Sequence, residues 1–377
     1  MDKLVDICHE INSIGVVIPS HDGRCDLLAK LLESLAADRA FCEQAIDVIV
    51  VDDSPPREAA RIAGQCSRLS MHYVSFCGNV SQKRNYGASL VRGDLILFLD
   101  SDCEVRPGLL AAHRRAYSGP LVAACQGLVT FTGSTNWLMH VIEETPLLVP
   151  FASPLSSATV SWGPSANFSV RRSIFTCTGG FDEELSPPLT GGEDVDFGLR
   201  ITGRGGVIVT APAAEVWHST ATWLRLRGNV RRFLTWGRGD YYLIKKHPAL
   251  AFRDIPSFLL TTSLVLATSL FIALLKLSLW PLLAAVIFPL ACLLLAGWLH
   301  PAQRVSWQRR LYRAGSVLIL ALLDAGRFLE ACKRGEPQVA LFRFRFSQTQ
   351  LFEEWPDLVL TSFCLLVAIL LAGVLFW

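Results

Sequence analysis

The sequence predicts a doubly wound α/β domain followed by transmembrane helices. Three observations carry that expectation. Short continuous apolar runs alternate with helix-spaced segments through the first hundred residues, charge is scarce, and three uncharged stretches crowd the last third of the chain. Only 18% of the 377 residues are charged and 51% are hydrophobic, whereas ordinary soluble domains carry ~25% charge. Such a deficit points to lipid, and the apolar richness excludes a disordered chain. Thirty-five Lys and Arg against 33 Asp and Glu leave a formal net charge of +2, too balanced for a dedicated nucleic-acid binder.

Residues 14–19 (IGVVIP), 46–51 (IDVIVV) and 95–99 (LILFL) are bounded by polar turns. Continuous apolar runs of this length suit strands buried on both faces of a parallel sheet. Residues 24–37, 56–67 and 81–91 between them have apolar spacing compatible with helices. Alternating strands and helices make a doubly wound unit, in which ligands bind at the carboxyl ends of the strands. Those ends carry Pro19-Ser20-His21-Asp22, Asp52-Asp53 and Asp100-Ser101-Asp102. No G-x-G-x-x-G follows the first strand and no G-x-x-x-x-G-K-[ST] occurs, so neither glycine-rich phosphate cradle is available. A divalent metal held by carboxylates is the simplest substitute.

Asp100 and Asp102, one residue apart after LILFL, offer hard oxygen ligands to Mg²⁺ or Mn²⁺ bridging a diphosphate. As an exposed turn, the same triplet would mean nothing. Asp52 and Asp53 close the second strand, where a nucleotide's base and ribose would sit. Lys83, Arg84 and Asn85 open a helix shortly before the third strand and could meet phosphate. Gly191 and Gly192 precede Glu193 and Asp194 at a helix start. The glycines permit close approach of an acceptor, and a carboxylate there can take a proton from an attacking hydroxyl or simply cap the helix. His218, in VWHS, is a candidate third metal ligand.

Residues 257–275, 277–299 and 358–377 carry no charge, and each is near the ~20 residues that cross a ~30 Å hydrocarbon core as a helix. Trp280, Trp298 and Trp377 stand close to their ends. Residues 300–357 hold many basic side chains, Arg304, Arg309, Arg310 and Arg313 among them, and are expected on the cytoplasmic side. A fourth span over the apolar 314–323 would drag Asp324, Arg327 and Glu330 to depth at ~2.5–3.5 kcal/mol each. An amphipathic helix over about 314–331 in the interface avoids that cost. The expected division is thus 12–245 for the α/β domain and 246–377 for the membrane part. The opening MDKLVDICHEINS lacks a basic segment followed by an apolar one, so no cleaved signal is expected and the first domain should remain cytoplasmic. The 11 cysteines include no C-x-x-C pair, which suits buried, reduced thiols and disfavours a zinc or redox motif.

Taken together these residues resemble a family 2 glycosyltransferase of GT-A fold, of the membrane-anchored bacterial type, over roughly residues 12–245. VVIPSHD is similar to the family's opening motif, VIVVDDS to its second-strand motif and QKRNYGASLVRGDLILFLDSD to its A-R-N-x-G…D-x-D run. GPSANFSVRRSIFTCTGGFDEEL resembles the acceptor-side segment, and GGEDVDFGLRI the E-D motif. The resemblance implies a nucleotide contact at Asp53, a metal at Asp102 and His218, and a catalytic base at Asp194. It implies single-step inversion at the anomeric carbon. His21-Asp22 replaces the usual Tyr-Asn, so no sugar or base preference carries over. Arg232 and Trp236, in RFLTW, only partly match the Q-x-x-R-W motif of processive synthases, and WGRG looks more like non-processive members.

Membrane helices suit an acceptor in the bilayer. An acceptor phosphate is already ionised and needs no base, whereas Glu193-Asp194 offers one; a hydroxyl on a lipid or lipid-linked glycan is therefore preferred. A polyprenyl-phosphate glycosyltransferase is the alternative enzyme. A catalytically silent membrane scaffold is the alternative of another class, and a nucleotidyltransferase on a related sheet a further one.

Overall fold

The computed structural model describes residues 10–40, 45–119, 121–185, 190–253, 258–277 and 306–346, with isolated positions between 279 and 291. The first apolar runs form strands where the sequence places them: β1 (Ser13–Ser20), β2 (Ala45–Asp52), β3 (His72–Ser75) and β4 (Leu95–Leu99), separated by α1 (Cys25–Arg39), α2 (Pro56–Arg68) and α3 (Val80–Leu90). Then come β5 (Cys103–Val105), α4 (Leu109–Ala116), β6 (Val122–Thr132), α5 (Trp137–Glu143), α6 (Val149–Ala152), β7 (Thr159–Val160) and β8 (Asn167–Arg171). After α7 (Arg172–Thr178), α8 (Glu193–Thr202) and β9 (Val207–Ser219) follow α9 (Leu226–Lys246), β10 (Ala251–Arg253), α10 (Phe258–Lys276), α11 (Trp307–Lys333) and β11 (Phe342–Phe344).

The chain divides into two units: residues 1–134 with 148–222, and residues 135–147 with 223–377. Helix α9, at the end of the expected 12–245 domain, clusters with the second.

In the first unit the described strands run β3-β2-β1-β4-β8-β6-β9-β5, with β7 beside β9. Strands β3, β2, β1 and β4 are mutually parallel, and β8 lies antiparallel between β4 and β6. This is a mixed α/β sheet. Side chains alternate across it. Ile14, Val16 and Ile18 pack with Leu28, Leu31, Leu32 and Leu35 of α1 and Leu109 and Leu110 of α4. Val17, Val51 and Phe98 face Ala88 of α3, Ile174 of α7 and Phe197 and Ile201 of α8. The four α1 leucines are fully buried; at roughly 2 kcal/mol each they fix which way that helix is turned. Such two-sided burial explains why the strand sequences read as unbroken apolar runs.

The second unit is built on α9 and α11. A Cβ on Gly237 would collide with the Leu323 carbonyl oxygen, and one on Gly326 with that of Leu234. The glycines let the two backbones touch, so the WGRG motif serves helix crossing here. Helix α11 contains the expected 314–331 helix, but its charges are placed differently from an interfacial one. Asp324, Arg327 and Glu330 are buried. Asp324 binds Arg327 at 2.9 Å and Arg343 at 2.6 Å, and Glu330 accepts from Arg238 and Tyr242 at 2.8 and 2.7 Å. Mutual pairing offsets part of the cost of burying them, and Trp307, Leu311 and Leu329 of the same helix are exposed.

Among the described residues no helix is long and apolar enough to cross a membrane. Of the three expected spans, 358–377 lies outside the described residues and 277–299 almost entirely so. The span at 257–275 coincides with α10, whose side chains are described only from residue 266 to 275.

Candidate active site

The carboxyl ends of β1, β2 and β4 bring together residues distant in sequence. Pro19 is buried near the end of β1, whereas Asp22 is exposed in the turn beyond. The adjacent aspartates at the end of β2 part company. Asp52 is fully buried and its carboxylate accepts from Ser54 N and Oγ at 3.1 and 2.9 Å and from Tyr73 at 3.3 Å. It shapes the turn. Asp53 faces Lys83, whose ammonium lies 2.8 Å away and also donates to the Ser20 carbonyl at 2.6 Å.

Helix α3 presents Lys83 and Arg84 in its first turn because Asn79 and Gln82 form a capping box that fixes the helix start. Arg84 is buried, with Nη2 2.9 Å from Asp100 and Nη1 3.1 Å from Glu193. The third residue of the motif, Asn85, turns elsewhere. Its amide donates to the Phe181 carbonyl and Glu183 and its oxygen accepts from Phe181 N, at 2.9–3.0 Å. It clips α3 to the segment before α8.

Gly192 caps α8 at φ +95°, a left-handed conformation that a side chain would strain by about 1–3 kcal/mol. Gly191 is buried just before it. Glu193 and Asp194 thus begin the helix and receive its positive end. Burial lifts the Glu193 carboxyl above its usual range against the pull of Arg84. Burial and the Glu193 charge push the Asp194 carboxyl up to about 7, with Arg84 opposing. Asp194 is half-buried and forms no ion pair among the described residues; its Oδ1 accepts from Val195 N at 2.8 Å.

On the other side, Asp102 is buried and meets the guanidinium of Arg24, His218 Nε2 at 3.4 Å and Thr222 Oγ1 at 3.3 Å. Burial raises its pKa, but His218 and Arg24 outweigh that and hold the carboxyl below its usual range. Asp102, Cys103 and His218 have potential ligand atoms within 4.8 Å of one another. Burial and Asp102 push the Cys103 thiol well above its ordinary value, so it is a poor ligand, whereas a carboxylate with an imidazole suits Mn²⁺. The residues therefore fit a divalent cation at Asp102 and His218. Asp100, also expected as a ligand, falls outside this group and is turned to Arg84.

His218 reaches Asp102 through an irregularity in β9. Gly127 of β6 pairs with Ala211, but Leu128 pairs with Glu215. Asn167 holds the step, donating to the Leu128 and Ala214 carbonyls at 3.0 and 2.8 Å. Its oxygen faces His113 Nε2 at 2.8 Å, and His113 Nδ1 meets Ser169 at 2.9 Å. Burial drives His113 down to about 4, so the ring is neutral, donating from Nε2 and accepting at Nδ1. After the step, β9 sets His218 opposite Cys103 in β5.

Arg232 and Trp236 belong to the second unit. Arg232 lies 3.9 Å over Trp223 and donates to Asn229 at 2.7 Å, and Trp236 packs edge-on against Trp223 and Phe233.

Residues 15–181 match the family described as Glycosyl transferase family 2. The chain also has curated relatives at modest identity. The chain is 27% identical to O-antigen biosynthesis protein RfbC of Myxococcus xanthus, over 55% of its length and 17% of that protein's. It is 25% identical to validoxylamine A glucosyltransferase of Streptomyces hygroscopicus subsp. jinggangensis, over 63% and 61% respectively. The chain thus spans less than two thirds of either relative. Among solved structures, mannosyltransferase PcManGT from Pyrobaculum calidifontis with GDP-Man and Mn²⁺ aligns at TM-score 0.48 and 15% identity, covering 98% of this chain and 90% of that one.

Within the first unit, Arg24 and Thr222 are neighbours of Asp102 that sequence reasoning missed. The only signal for Arg24 was its place in the loop after β1.

Arg84 makes the first prediction. Arg84→Met leaves Glu193 buried without its cation, which costs about 3 kcal/mol and should lower the melting temperature by roughly 10 °C. Because Arg84 pulls the Asp194 pKa down, whatever activity survives should need a higher pH. Calorimetry and a pH–rate profile check the two effects.

Proposed function

We propose that this chain transfers a sugar from a nucleotide-diphosphate donor to a hydroxyl group of a membrane-associated acceptor, a lipid or lipid-linked glycan, with inversion at the anomeric carbon. The observation that carries the reading is Asp194: a half-buried carboxyl poised near 7 and lacking a counter-cation among the described residues, beside a set of strand-end carboxylates and cations. A general base works best with a pKa near the operating pH. A phosphate acceptor would need none, which favours a hydroxyl over polyprenyl phosphate.

In this mechanism Asp53 and Lys83 bind the nucleoside end of the donor, and Pro19 lines its pocket. Asp194 takes the proton of the acceptor hydroxyl as the oxygen attacks the anomeric carbon. The bond from that carbon to the diphosphate oxygen breaks, and the nucleoside diphosphate leaves. Arg84 keeps Asp100 and Glu193 oriented and tempers the negative field around Asp194. Asp102 and His218 would hold Mg²⁺ or Mn²⁺, which would neutralise charge developing on the leaving diphosphate. Gly191 and Gly192 leave room for the acceptor.

The membrane part of the reading is supported by the three uncharged runs and by exposed Leu266, Leu270, Phe271, Leu274 and Leu275 on α10. The catalytic domain is placed on the cytoplasmic side of the plasma membrane, where nucleotide sugars are available. Membranes containing the full chain, incubated with a panel of labelled nucleotide sugars and then extracted, should yield one labelled lipid product from which mild acid releases no labelled monosaccharide, because the new bond is a glycoside. An acid-labile glycosyl phosphate would establish the polyprenyl-phosphate alternative, and no product with any donor would favour the silent scaffold.

A further inference from the structure

Three cations serve the strand-end carboxylates, and they are not equivalent. Lys83 is committed to the Ser20 carbonyl and Asp53, and Arg84 to Asp100 and Glu193. Neither pair involves the residues suited to a divalent cation. Arg24 differs. It stands at the start of α1 without using its side chain to cap that helix, and instead reaches Asp102 Oδ2, the carboxylate that His218 also approaches. Its side chain keeps 18% of its surface, against 4% for Asp102.

A guanidinium seated on a carboxylate oxygen obstructs a divalent cation on the same carboxylate, sterically and by like-charge repulsion, which is strong where water is scarce. The same planar fork is well matched to phosphate oxygens. Helix α1 follows β1 directly, so Arg24 starts from the rim where a donor diphosphate would lie.

We propose that Arg24 is a transferable counter-cation: it neutralises Asp102 in the unloaded site, competes with a divalent cation for that carboxylate, and passes to the donor diphosphate when the donor binds. Cation and nucleotide then bind with positive coupling, because each removes an obstacle to the other. The proposal rests on the reading of Asp102 and His218 as cation ligands given above.

Free Mn²⁺, measured by its electron paramagnetic resonance signal, tests it on the full chain in detergent, with and without UDP, GDP or dTDP in parallel. The wild type should bind Mn²⁺ weakly alone and about tenfold more tightly with the nucleoside diphosphate it accepts. Arg24→Gln should bind Mn²⁺ alone about tenfold more tightly than wild type and gain little from the nucleotide, while Arg24→Lys should behave more like wild type. Unchanged or weaker Mn²⁺ binding by Arg24→Gln, or full coupling retained in it, would overturn the proposal. Asp102→Asn separates this failure from the other: if that variant binds Mn²⁺ like wild type, the cation reading itself fails, and Arg24's part with it.

Discussion

Asp194→Asn should lower sugar transfer by about 10²–10⁴-fold, the range that general-base catalysis supplies, with nucleotide binding retained. The substitution keeps shape and the contact to Val195 N but removes proton affinity. In the wild type the raised pKa sets the sign of the pH dependence. Below about 7 the carboxyl is protonated and cannot act as a base, so kcat/KM should fall about tenfold per pH unit on the acid side and level off above. The residual activity of Asp194→Asn should lack that limb. Retention of the limb would assign it to another group, and wild-type rates in the variant would remove Asp194 from the chemistry.

Asp102→Asn carries the second large effect. It withdraws the charge that His218 and Arg24 share and should reduce divalent-cation-dependent transfer on the order of 10³-fold, the several kcal/mol expected of charge neutralisation at a leaving group. The amide keeps the volume of the carboxylate, so circular dichroism should show the fold intact. Excess Mn²⁺ should restore only part of the rate. A variant as fast as the wild type, with both rates unchanged by EDTA, would show that neither Asp102 nor a cation contributes.

How much of this was legible in the sequence follows from how local each signal is. Strands β1, β2 and β4 were legible because burial on both faces demands unbroken apolar runs, and their carboxyl ends then located the acidic residues. Neighbouring carboxylates were not separable by that route. Asp52 and Asp53 point opposite ways because they end a pleated strand, and Asp100 and Asp102 are drawn apart by Arg84 and Arg24, which come from two different helices. Asn85 looked like a phosphate contact by its place beside Lys83 and Arg84, but one further step around the helix turns it to Phe181. The step in β9 that delivers His218 depends on Asn167 and His113, more than 40 residues away in the chain. No local pattern records such a pairing. In the second unit, Asp324, Arg327 and Glu330 argued from the sequence for an amphipathic helix in a membrane interface, whereas the structure buries them. Their partners Arg343, Arg238 and Tyr242 lie in other elements, so the sequence could not show that the charges turn inward.

The most direct test of the account is where a cation and a nucleotide sit together. Crystals grown with Mn²⁺ and the nucleoside diphosphate selected by the donor panel, with anomalous data collected at the manganese edge, should show one peak in contact with the Asp102 carboxylate and His218 Nε2, with the diphosphate beside it and Asp194 facing the open side of the site. A bound nucleotide with no manganese at Asp102 and His218, or manganese held elsewhere in the domain, would contradict it.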